Sequence, residues 1–205
     1  MDYKYDIFYS YAHEGISKPF VHNYFLKYFE MYMVDILPPS HKFKSFIDKE
    51  ISPGDAWPER LKNALAYSRC LIAFLTPSYF RSKWCLIELN LMLHRTNKLG
   101  LGTLDNPCGL VFPVIVSDGE HFPENITRVQ KFDCCNYAIY LEGFHKVDKF
   151  ISFEEELVTW SKKVAPAIMN PPPWSNEWIN ENWYNEATEN ISPILPISVK
   201  PTILE

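Results

Sequence analysis

The chain has 205 residues, a formal net charge of −5, and 47% hydrophobic and 16% aromatic residues. That apolar content suits one packed domain with extensions and excludes global disorder. No Lys/Arg run reaches four residues, so the basic footprint that neutralises phosphates is missing and no nucleic-acid partner is expected.

The opening MDYKYDIFYSYAHEG mixes acidic and aromatic residues without a sustained apolar run, and predicts neither a secretory signal nor a transit peptide. No stretch approaches the ~18 apolar residues of a membrane span. Cys70, Cys85, Cys108, Cys134 and Cys135 form no CxxC, and most lie in or beside apolar runs, where a reduced thiol acts as a small hydrophobe. The expectation is a cytoplasmic protein with no membrane partner.

Short apolar runs alternate with longer helix-like stretches, the rhythm of a parallel sheet wrapped by helices. Tyr5–Ser10 is the first predicted strand. Pro19–Ile36 follows as a helix, with Phe20, Tyr24, Tyr28 and Met31 at helical spacing, ended by Pro38-Pro39. Phe43–Ile47 is the second strand, 51–57 a Pro/Gly loop, and Trp57–Ser68 a helix. Cys70–Leu75 reads as a central strand covered on both faces. Lys83–Thr96 is helical, Leu110–Val116 the fourth strand, Tyr137–Leu141 the fifth, and Phe153–Val164 a closing helix. These elements give an α/β domain over residues 1–165. Residues 166–205 are a Pro/Trp-rich extension, expected to pack on the domain because Trp174, Trp178 and Trp183 offer large apolar faces.

In an open parallel sheet, ligands bind outside the carboxyl ends of the strands. Three predicted loops reach that edge, and they hold the candidate residues. After the first strand, Ser10, Tyr11 and His13 supply a hydroxyl, a ring and an imidazole. After the second, Asp48 can orient a ligand hydroxyl or serve as a turn residue, followed by Glu50, Pro53, Gly54 and Trp57. After the third, Ser82 caps a helix on which Cys85, Leu89, Met92 and Leu93 form the buried stripe. Trp84 and Glu88 lie together at its margin. By spacing alone, Glu88 is better read as a surface carboxylate paired with Arg81 or Arg95 than as a reacting group. GxGxxG, GxxxxGK[ST], GxSxG and HExxH are absent, and the histidines have no ligand spacing, so no metal site is expected.

The same three segments carry a resemblance. Tyr5-Asp6-Ile7-Phe8-Tyr9-Ser10-Tyr11-Ala12-His13-Glu14 resembles the opening strand of TIR domains, in its bacterial form. Phe46-Ile47-Asp48 through Pro53, Gly54 and Trp57 is similar to their second box and BB loop. Leu75-Thr76-Pro77-Ser78-Tyr79-Phe80 to Trp84-Cys85-Leu86-Ile87-Glu88 is similar to their third-strand and helix signature. The resemblance implies a flavodoxin-like fold of five parallel strands with helices on both faces. It further implies cleavage of NAD, as substrate rather than cofactor, into nicotinamide and ADP-ribose or a cyclic or conjugated product. Glu88 falls on the family's catalytic glutamate, which reverses the preference drawn from spacing. Ser10, Tyr11, His13, Asp48 and Trp84 are then substrate-binding residues, and Glu50, Pro53, Gly54 and Trp57 belong to a self-assembly loop. The standalone TIR components of antiphage systems such as Thoeris are the nearest type, with a separate effector protein answering the product. A non-catalytic TIR adaptor is the alternative, and a nucleoside deoxyribosyltransferase relative a further one.

Overall fold

A computed structural model of the protein describes residues 2–47, 57–103, 106, 108–117, 122, 131–138 and 142–189. Asp48, Glu50, Pro53 and Gly54, together with the side chain of Trp57, lie outside the described residues. Strands β1 (Tyr5–Tyr11), β2 (Ser45–Ile47), β3 (Ser68–Leu75), β4 (Val111–Ile115) and β5 (Phe132–Asp133) form one sheet in the order β2-β1-β3-β4-β5. Every pairing is parallel. This is the flavodoxin-like five-stranded α/β architecture, whose chain reverses direction between β1 and β3.

Side chains alternate across the sheet and feed two cores. Ile7, Tyr9, Ile72, Phe74 and Val114 meet one layer of helices: α1 (Ser17–Phe20), α2 (Leu26–Ile36) and α6 (Lys149–Met169). Phe8, Phe46, Leu71, Ala73 and Leu75 meet the other, made of α3 (Trp57–Ala66) and α5 (Lys83–Lys98), which follows the short α4 (Pro77–Arg81).

A π turn at Val21–Phe25 separates α1 from α2 and moves the inward stripe. Phe20 and Tyr24 are buried before the shift, and Phe25, Phe29 and Met33 after it, which leaves Met31 47% exposed. The spacing that predicted Met31 on the inner face assumed an uninterrupted α-helix, and one extra residue in a turn rotates everything downstream.

The fifth strand is also displaced. Phe132–Asp133 pairs with Val114 and Ile115, whereas Tyr137 and Ala138 fold back through N–H bonds to the Cys134 carbonyl at 2.9 Å each. Residues 139–141 lie outside the described residues. Tyr137 is buried because its ring meets Phe153 at 5.5 Å and Phe144 at 6.1 Å, and an apolar run buried in a turn looks like a strand to periodicity.

Helix α6 continues through Pro166 to Met169, so the division expected after residue 165 falls inside it. Beyond it the chain crosses to the α3/α5 face. Trp174 stacks on Tyr67 at 5.1 Å with an interplanar angle of 6° and donates Nε1–H to the Ala66 carbonyl at 3.1 Å. A 3-10 turn (Asn176–Ile179) and α7 (Glu181–Thr188) then bring Trp178 and Trp183 into the core at 2% exposure each. Burying one indole provides roughly 4–6 kcal/mol of transfer free energy before ordering costs. Residues 190–205 lie outside the described residues. Among the described residues no helix is long and apolar enough to cross a membrane.

Candidate active site

The site is set by strand parity. Phe8 and Ser10 of β1, and Ala12 just beyond it, lie on the α5 side of the sheet, and Ser10 pairs with Ala73 of β3. These small residues leave space on the sheet beneath the start of α5. Thr76 opens α4 by accepting the Tyr79 N–H at 3.1 Å, with Pro77 at the first helical position, where a missing N–H costs nothing. Ser82 then ends α4 and caps α5, its Oγ accepting the Cys85 N–H at 3.4 Å. This corner sets the first turns of α5 over the carboxyl ends of β1 and β3.

Glu88 is thereby held at 7% exposure. Ser10 Oγ donates to its Oε2 at 2.5 Å, a length usual for a hydroxyl donating to a carboxylate. Tyr79, fully buried, brings its hydroxyl to 2.9 Å from Ser10 Oγ and 3.1 Å from the Cys85 carbonyl. Two hydroxyl protons serve these three contacts. With Ser10 committed to Glu88, the Tyr79 proton is shared between Ser10 Oγ and the Cys85 carbonyl. Burial holds the Tyr79 hydroxyl well above its ordinary pKa, with Cys85 and Glu88 adding to the shift, so it stays a donor. Burial, and then the charge of Glu88, pushes the Cys85 thiol up to about 12. Cys85 is packing and not a nucleophile.

An open cavity of about 420 Å³ lies at this edge, its wall including Tyr11, His13, Arg81, Trp84 and Glu88. Its size is within the range of small-molecule sites. Tyr11 is 5% exposed, its hydroxyl lies 2.9 Å from His22 Nε2, and its ring stacks on His13 at 5.1 Å. Trp84 stands at the rim, 37% exposed.

Of the residues singled out in the sequence, Glu88, Trp84, Tyr11 and His13 thus share one cavity wall. Ser10 lies a layer below, 1% exposed, and touches Glu88. The two arginines that spacing offered to Glu88 bond to other partners. Arg95 is fully buried, donating Nη1–H to the Ser68 carbonyl at 3.0 Å and lying over the Tyr3 and Trp178 rings at 5.1 and 5.0 Å. Arg81 donates Nη2–H to Ser78 Oγ at 3.1 Å. Sequence reasoning missed Tyr79 and His22. The Thr-Pro cap at residues 76–77 was a readable sign of the helical turn that aims Tyr79 inward, whereas nothing in the sequence marked the π turn that carries His22. Among the described residues no group of three His, Cys, Asp or Glu could hold a metal ion.

The TIR-domain family model matches residues 34–147. The match takes in Glu88 and begins after β1, leaving out Ser10. No curated protein matches. Among solved structures, the TIR domain of the Toll-related receptor TRR-2 from Hydra magnipapillata is similar at 19% identity, over 75% of this chain and 98% of that one, with a TM-score of 0.44. The TIR domains of the activated Roq1 resistosome, which directly recognizes the pathogen effector XopQ, are similar at 17% identity, over 82% and 86%, with a TM-score of 0.36. Because the family model spans more than half of the sequence, and the five parallel strands stand in flavodoxin-like order, this chain belongs to the TIR-domain family.

Proposed function

We propose that this TIR domain cleaves NAD at the bond between nicotinamide and ribose, with Glu88 as the catalytic carboxylate. The observation that carries the reading is a buried glutamate on the wall of a cavity of about 420 Å³, oriented from behind by Ser10. Desolvating a carboxylate is costly, and TIR–TIR adhesion alone has no use for one on a cavity wall.

The chemistry needs little more than one anion. Nicotinamide departs as a neutral molecule from a pyridinium, so no strong general acid is required. The ribose gains oxocarbenium character in the transition state, and a fixed carboxylate beside it stabilises that charge and accepts hydrogen bonds from the ribose hydroxyls. Trp84 gives the ring a wall, and Tyr11 stacked with His13 adds further ring surface to the cavity lining. Ser10 acts through Glu88 as a positioning residue. Water, a nucleophile within the substrate or one on a second molecule then bonds to the ribose carbon that nicotinamide has left and gives up its proton to solvent, giving ADP-ribose, a cyclic product or a conjugate in turn.

In this reading the chain self-associates through the segment from Glu50 to Trp57, works in the cytoplasm, and passes its product to a separate effector in antiphage defence. The test is incubation of the purified chain with NAD across a range of protein concentrations, with products separated by chromatography. Nicotinamide release that grows more steeply than protein concentration supports cleavage coupled to assembly. An intact NAD pool at every concentration favours the adaptor role.

A further inference from the structure

The geometry points to Arg81 as the residue that binds the diphosphate of the dinucleotide and makes the site selective for ligands carrying one; this rests on the NAD reading above. Among the described residues of the cavity wall, the acidic and basic side chains are His13, Glu14, Arg81 and Glu88, beside the neutral Tyr9, Tyr11 and Cys85. Two are carboxylates, and Ala12 contributes no charge. A ligand with a diphosphate meets repulsion from Glu14 and Glu88 unless a cation offsets it, and among the described wall residues the guanidinium is the permanent one.

Arg81 is built to do so. It ends α4, and Glu88 lies on α5 beyond the Ser82 corner, so the guanidinium and the carboxylate reach one cavity from different helices. NAD has the same separation of charge, a cationic pyridinium ring and an anionic diphosphate. With the ring beside Glu88 and Trp84, the diphosphate extends toward Arg81. The Arg81 bond to Ser78 Oγ at 3.1 Å engages one of five guanidinium donors, and the exposed side chain can present a planar pair to phosphate oxygens. Ser78 also lines the cavity and adds a hydroxyl. Gly15, at φ +75°, runs close by: a Cβ there would stand 3.8 Å from Ser78 Oγ. The loop after β1 therefore passes beside Ser78 at this end of the cavity.

The test titrates the full chain and its Arg81→Ala and Arg81→Lys variants calorimetrically with ADP-ribose, which keeps the diphosphate but has no nicotinamide to lose, and with adenosine, which has neither. Arg81→Ala is expected to weaken ADP-ribose binding about tenfold and to leave adenosine binding within about twofold. Arg81→Lys retains most of the affinity at low salt, and added salt erodes binding only where the positive charge is present. Equal ADP-ribose affinity in Arg81→Ala and the native chain overturns the assignment, and so does a native chain that does not bind ADP-ribose. Nicotinamide release from NAD is followed in the same samples. If Arg81→Ala weakens ADP-ribose binding while the native chain releases no nicotinamide, the diphosphate subsite stands and the cleavage reading falls. If release from NAD is unchanged in Arg81→Ala at subsaturating NAD, the subsite falls and the cleavage reading stands.

Discussion

Replacing Ser10 by alanine removes one oxygen and tests whether the carboxylate must be held in place. Ser10 Oγ donates to Glu88 Oε2 at 2.5 Å and is 1% exposed, so bulk water cannot take over the bond. A hydrogen bond to a charged group contributes ~1.5–3 kcal/mol. At about 1.4 kcal/mol per factor of ten, that bounds the loss of the productive Glu88 rotamer at roughly 10- to 150-fold. Glu88 has a further contact besides Ser10, which moves the expectation to the low end, about tenfold in kcat with KM little changed. Folding suffers less, because Tyr79 retains the Cys85 carbonyl at 3.1 Å and no buried donor is orphaned, so urea unfolding should shift by about 1 kcal/mol. The assay is initial-rate nicotinamide release from NAD over a range of NAD concentrations. A variant whose kcat stays within about twofold of the native chain would refute the positioning role.

Two further expectations concern packing and pH. Trp183→Ala empties a position that is 2% exposed between α7 and α5, and should cost ~3–5 kcal/mol in urea unfolding; a loss below about 1 kcal/mol would show that the extension does not brace the domain. Burial holds the Cys85 thiol at about 12 against an ordinary 9.0 and the Tyr137 hydroxyl at about 12 against 10.0. Acids raised in this way favour the fold below their unfolded pKa, and that contribution is lost as pH climbs through the folded value. The melting temperature should therefore hold to about pH 9 and fall between about 9 and 12. A melting curve that is flat or rising across that window contradicts the assignment.

The parallel sheet and the site were legible in the sequence to different degrees. The run from Cys70 to Leu75 announced a doubly covered strand, and Ser82 announced the cap of α5, because short-range rules govern both. Glu88 could not be read that way. Its burial depends on Ser10 of β1 meeting it from beneath α5, with Tyr79 behind Ser10, and spacing along one helix sees neither. The motifs around Trp84 singled out Glu88 where periodicity did not. A single buried stripe on α5 leaves Arg95 at the surface, yet Leu86, Leu91 and Arg95 are buried too. Trp178 and Trp183 cover that second face from far along the chain. Where a remote segment or a π turn intervened, local pattern failed for an identifiable reason.

The most direct test of the account compares nicotinamide release from NAD by the native chain and by Glu88→Gln, which keeps the shape and removes the charge, with folding checked by circular dichroism. A fixed anion at a developing cation contributes on the order of 3–4 kcal/mol, so the account predicts a loss of at least a hundredfold in rate with an unchanged spectrum. Equal release by a folded Glu88→Gln variant would contradict the claim that this carboxylate performs the chemistry.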